Sequence, residues 1–240
     1  MSEPIPICRS SVVRVLRLSR LALLVPLAAC ATETLFESDF DATPVNQPPA
    51  TAQAVGTAAV DGPAGSVLVV APPVTPSGNW VQISRPGADS PVAGLQGNFS
   101  EFGGEGEYTF TTTLFMPTGS GLATLQCEPF GQPVGTLTSF LHIDFTREND
   151  VRIDDKEETR FGTFPRDQPF IVQVQLNIGA SSATAHIALA GAGASGAADY
   201  GIEPALLTLA RQFGAIRVWM GFPSTGTFDA TNIVVTRKTD

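Results

Sequence analysis

The sequence predicts an all-β protein, a two-sheet antiparallel sandwich with at most one short helix. Three observations carry this. Long stretches alternate apolar and polar residues with a period of two, as strands with one buried face do. Gly- and Pro-containing turns separate those stretches at short intervals, and no repeat of fixed period joins them. Only one segment, Glu203 to Phe213, suits a helix, with Pro204 near its start and Gly214 just past its end.

The clearest strands lie after Glu107. In "EYTFTTTLFM", Tyr108, Phe110, Leu114 and Met116 share one face, opposite Glu107, Thr109, Thr111 and Thr113. In "FLHIDFT", Leu141, Ile143 and Phe145 oppose His142, Asp144 and Thr146. In "FIVQVQLNI", the apolar face from Phe170 to Ile178 opposes Gln173, Gln175 and Asn177. In "AIRVWMGF", Ile216, Val218, Met220 and Phe222 oppose Arg217 and Trp219. Further strands are expected at "SVLVVA", "NWVQIS", "ATLQCEP", "VRID", "ATAHIALAG" and "NIVVT". "VGTAAVDGPAGSVLVV" reads as two strands about an Asp-Gly-Pro turn.

The N-terminus has a separate logic. Arg9, Arg14, Arg17 and Arg20 precede an apolar run, Leu21 to Ala29, too short for the roughly 20 residues that span a bilayer. A basic start, a short apolar stretch and small closing residues make a secretory signal over 1–30. Leu27-Ala28-Ala29-Cys30 resembles the lipobox of bacterial lipoproteins. That resemblance implies cleavage before Cys30, lipidation of its sulfur and membrane attachment through the acyl chains. Ala31 stands where the family's inner-membrane retention signal has Asp, so the expected destination is the cell envelope, at the outer membrane. The expected organisation is signal 1–30, a short tether 31–34 and one sandwich domain 35–240.

Composition narrows the partners. The full chain carries a net charge of −9. Without four arginines and Glu3 of the signal, 10 basic and 22 acidic residues remain, a net of −12. Such a surface opposes nucleic acid, which needs a basic footprint, and gains nothing from anionic lipid. Of the three cysteines, Cys8 leaves with the signal and Cys30 is the lipidation site. Cys127 then stands alone in a strand and is expected to pack as a small buried hydrophobe.

The opening "LFESDFDATPVNQPPA" and the closing "GTFDATNIVVTRK" resemble the first and last strands of bacterial concanavalin-like jelly-roll domains, although Asn46 stands where the opening pattern has Gly. The resemblance spans most of 35–240. It implies a lectin-like relative, with a polysaccharide or glycan as the expected ligand and calcium as a candidate cofactor.

No catalytic residue is assigned. The Glu-x-Asp-x-x-Glu strand of jelly-roll hydrolases is absent, and Glu105 and Glu107 sit among glycines in a turn. "ENDVRIDDKEE" holds six acids in eleven residues but lacks the EF-hand's central Gly, and Arg152 and Lys156 interrupt it. It reads as a mixed-charge hairpin. No Gly-x-Ser-x-Gly elbow accompanies the two histidines, and "GAGASG" lacks a phosphate loop's Lys-Ser/Thr. The candidate ligand-binding set is the polar sides of three strands: His142 and Asp144; Gln173, Gln175 and Asn177; Arg217 and Trp219. Amides and charges bond sugar hydroxyls, and the indole offers a stacking face. The leading expectation is a non-catalytic glycan-binding module. A glycoside hydrolase or polysaccharide lyase, and a structural or adhesive envelope protein, are the alternatives.

Overall fold

The computed structural model describes residues 31–74, 78–136 and 138–239. The signal and Cys30 lie outside the described residues. The first strands are β1 (Ala31–Ser38), β2 (Thr57–Asp61), β3 (Val67–Val70), β4 (Trp80–Arg85) and β5 (Ala93–Asn98). β6 (Gly106–Phe115), β7 (Ala123–Pro129), β8 (Leu141–Phe145), β9 (Asp150–Ile153) and β10 (Gly162–Thr163) follow. Then come β11 (Pro169–Ile178), β12 (Ala183–Ala190), β13 (Ser195–Gly201), the one-turn helix α1 (Leu207–Ala210), β14 (Phe213–Met220) and β15 (Gly226–Thr239).

All strand pairs are antiparallel and they form two layers. Sheet A runs β3-β4-β15-β6-β11-β12-β13, and β1 pairs with the second half of β15. Sheet B runs β2-β5-β14-β7-β8-β9-β10. The layers meet at one seam, where Gly162 opposes Gly196 and Thr163 opposes Ser195. A Cβ on Gly196 would stand 2.5 Å from the Gly162 Cα, so this crossing needs two glycines.

The alternation read from the sequence decides the layers. Phe110, Val174, Ile143 and Ile216 point into the shared core, while their strand neighbours face outward. Phe213 anchors one end of it, with edge-to-face contacts to Phe99, Tyr108 and Phe140 at centroid distances of 4.9, 5.3 and 5.4 Å. Cys127 is buried among these residues, and burial pushes its thiol pKa up.

Four details differ from expectation. Ala31–Thr34, read as a tether, belong to β1 and pair with Thr236–Thr239. β2 and β3 flank the Asp-Gly-Pro turn but join different sheets, β2 on β5 and β3 on β4, so the turn crosses between layers. β14 ends at Met220, which leaves Phe222 in a turn, 76% exposed, instead of in the core. The helix shrinks to a 3-10 turn at Pro204–Leu206 followed by α1, because β14 already begins at Phe213.

β5 went unread in the sequence because its side chains are small. Gly97 faces inward beneath the fully buried ring of Phe36, and a Cβ there would meet ring atoms at 2.7–2.9 Å. Gly97→Ala should therefore cost about 1–3 kcal/mol of stability. Thermal unfolding checks this, and an unchanged midpoint would show that the ring moves aside freely.

Candidate functional site

The outward side chains of sheet B form a polar ladder. The strand register sets Gln96, Arg217, Gln126 and His142 in one row. The next row is Asp61, Gly94, Trp219, Thr124, Asp144 and Arg152. On the other side of the first row, Asn98, Ala215 and Glu128 align. Four of the seven expected site residues, His142, Asp144, Arg217 and Trp219, thus share one face. Gln173, Gln175 and Asn177 do not: they are exposed on β11, on the outer face of the opposite sheet. The expected single surface is two surfaces, because the polar side of β11 faces away from sheet B across the core.

Each ladder residue has a defined environment. Asp144 accepts from the Thr124 hydroxyl at 2.8 Å and from the Asp155 N–H at 2.8 Å. Burial raises its pKa, against the pull of His142 and these two bonds. His142 lies 3.2 Å from the Gln126 amide nitrogen, and its ring stacks with that of Trp219 at 6.2 Å and 17°. Arg217 is fully buried and packs over the Trp219 ring at 5.2 Å. It donates to the Asp61 carboxylate and, at 3.3 Å, to the Thr136 carbonyl. Glu128, also fully buried, comes within 4.0 Å of Arg217. Burial pushes its pKa up to about 7, partly offset by Arg217. The β7–β8 connection reaches over this face, where the Gln132 carbonyl accepts from Gln96 at 3.2 Å. Trp219, expected as an open stacking platform, is only 8% exposed.

Several buried atoms of the ladder have no hydrogen-bond partner among the described residues. They are Gln96 Oε1, Gln126 Oε1, both carboxylate oxygens of Glu128, Arg217 Nε, Trp219 Nε1 and Arg152 Nε. A buried polar group left unmet costs about 1–3 kcal/mol. Together these rival the whole net stability of a domain, about 5–15 kcal/mol. No described residue meets them, which leaves them available to water or a ligand. Gln96, Gln126 and Glu128 escaped the sequence reading. The signal was present in "ATLQCEP", where Thr124, Gln126 and Glu128 alternate with the core residues Ala123, Leu125 and Cys127.

Sheet A carries a shallow trough of about 770 Å³ lined by Gln175, Asn177, His186, Asp199, Glu107 and Lys238, among others. Its charged groups already pair: His186 with Asp199 at 2.7 Å and Lys238 with Glu107 at 3.0 Å. Its exposed amides are met by solvent, so the trough creates no demand for a ligand.

No metal centre assembles among the described residues: no group of three or more His, Cys, Asp or Glu side chains gathers to hold an ion. The acidic hairpin has turned three of its carboxylates to cations. Asp150 pairs with Arg160 at 2.8 Å, Glu157 with Arg152 at 2.8 Å and Asp154 with Lys156 at 3.7 Å. This hairpin, with those carboxylates turned to cations, does not fit the calcium expected from the resemblance.

No family model matches the chain, and no curated protein matches it. Solved structures do. Arcelin-5, a lectin-like defence protein from Phaseolus vulgaris, superposes with a TM-score of 0.51 at 10% identity, over 87% of this chain and 99% of that one. Lectin UEA-II complexed with galactose gives 0.50 at 9% identity, over 88% and 99%. Lectin II from Ulex europaeus gives the same values. At this identity the likeness is one of fold, and the fold is the concanavalin-like, lectin-type jelly-roll sandwich.

Proposed function

We propose that this protein is a lipid-anchored component of the bacterial cell envelope, placed at the outer membrane. Its sandwich binds a carbohydrate on the outer face of sheet B without turning it over. The observation that carries this reading is the set of buried, unpartnered polar atoms on that face. Two amide oxygens and a carboxylate accept from sugar hydroxyls. The Trp219 and Arg217 N–H groups donate to them. The partly exposed His142 marks the side from which the ligand enters, and ligand hydroxyls replace the carbonyls of Gln132 and Thr136 that now cap the ladder. Cys30, through its acyl chains, supplies the membrane attachment.

A broad glycan array, with and without calcium, tests this. Selective, saturable binding unaffected by chelator is the expected result. A blank array with folded protein would contradict it and favour a structural or adhesive envelope role. A calcium requirement would contradict the metal-free account of the site.

A second reading, a glycoside hydrolase, draws on one specific observation. Glu128 and Asp144 occupy adjacent strands of one face, and burial raises both pKa values, as a general acid requires. Release of shortened sugars from a bound glycan, abolished by Glu128→Gln, would establish that reading in place of simple binding.

A further inference from the structure

β1 starts at Ala31, the residue that follows Cys30, and Ala31 opposes Thr239 at the end of β15. No slack separates the proposed anchor from the sandwich. The end of the sandwich that receives Ala31 also bears exposed aromatic rings. Phe102 is 58% exposed and Phe130 is 41% exposed, with centroids 6.4 Å apart. Both sit on fixed backbone. The Gly103 N–H donates to the Phe213 carbonyl at 2.7 Å, and the Phe130 N–H donates to the Gln212 carbonyl at 2.6 Å. Phe102 shares a depression of about 570 Å³ with Arg211 and Arg237. Arg237 in turn opposes Glu33 of β1, which ties the ring pair to the strand that leaves Cys30.

Exposed phenyl rings, like those on membrane-surface helices, bury in the lower headgroup level against the acyl chains, and arginines beside them extend toward the polar layer. The rings are tilted by 57° to one another, which denies a sugar a flat platform and suits two separate insertions. Arg211 is already paired with Glu105 at 2.9 Å, so the rings, and not net charge, drive the contact. None of the described helices is long and apolar enough to cross a membrane.

We propose that this end of the sandwich is a membrane-contact face, with Phe102 and Phe130 inserted at the headgroup level of the bilayer that holds Cys30. The inference rests on the lipid-anchor reading, because an anchor without a tether presses this end against the membrane. Phe222, exposed at the opposite end next to Arg85, should stay in water and serves as the control.

The test uses the full chain, recovered from cell membranes and reconstituted in phosphatidylcholine vesicles with brominated acyl chains. Phe102→Trp, Phe130→Trp and Phe222→Trp are compared with the parent protein, whose own tryptophans set the background. Bromine should quench the new tryptophan at 102 and 130 roughly twofold or more beyond that at 222, in low and high salt alike. The mass of the N-terminal fragment reports separately whether Cys30 is acylated. Equal quenching at all three positions with acylated Cys30 would overturn the membrane-contact face and leave the anchor standing. Preferential quenching with unmodified Cys30 would support the face and remove the anchor. Equal quenching with unmodified Cys30 would overturn both.

Discussion

Arg217→Ala should destabilise the protein by about 3–5 kcal/mol, the usual cost of removing one partner from a buried ion pair. Arg217 is fully buried, bonded to Asp61 and to the Thr136 carbonyl, and 4.0 Å from Glu128. Its loss leaves two carboxylates facing each other across a void and removes the packing over Trp219. Chemical denaturation reads the effect. Arg217→Lys keeps the charge but not the planar fork that reaches two partners at once, so it should recover only part of the loss. A cost under about 1 kcal/mol for Arg217→Ala would mean that water already solvates the pair, against the buried ladder described above.

The second large effect is on pH dependence. Glu128 titrates at about 7 in the folded protein against 4.5 as its ordinary value. Between those values the folded chain holds a proton that the unfolded chain has released. The contribution of Glu128 to stability is therefore full below pH 4.5, falls as pH rises to about 7 and then levels off. Asp229, buried beside Gln82 and pushed up to about 6 from 3.8, adds a loss of the same sign between those two values. Glu128→Gln mimics the protonated carboxyl, so the drop in stability from pH 5 to pH 8 should shrink by about 2 kcal/mol. Denaturation curves at the two pH values check this. Parallel losses in the variant and the parent would show that Glu128 is ionised and solvated in the native state.

The strands that carry the core were legible because each puts large residues on one side only. β6, β8, β11 and β14 show this from Tyr108 through Met220. β5 and β13 were not. "AGLQGN" and "SGAADYG" break their alternation with glycines and alanines, and at two of these glycines a neighbour occupies the space that a side chain would fill, as Phe36 does above Gly97 and Gly162 does against Gly196. Period two cannot show where the periodic side chain is a hydrogen atom. The site was half legible for a related reason. Alternation says that Gln175 and Arg217 each face away from the core, but not which sheet each strand joins, and β11 and β14 joined different ones. Non-local pairing decides that, and so does the burial of Trp219, which depends on His142 from another strand. The tether was misread because "ATET" carries no large residue. Its place in β1 comes from pairing with "TRKT", more than 200 residues away in the chain.

The most direct test of the sheet B site is the affinity of the selected glycan for two matched variants, Gln126→Leu and Gln175→Leu. Both remove one amide from the polar side of a strand, the first in the ladder, the second in the trough of sheet A. If the ladder holds the ligand, Gln126→Leu weakens binding by about tenfold or more, the worth of one or two lost hydrogen bonds, and Gln175→Leu leaves it unchanged. The reverse pattern would place the ligand on sheet A and contradict the site assigned here.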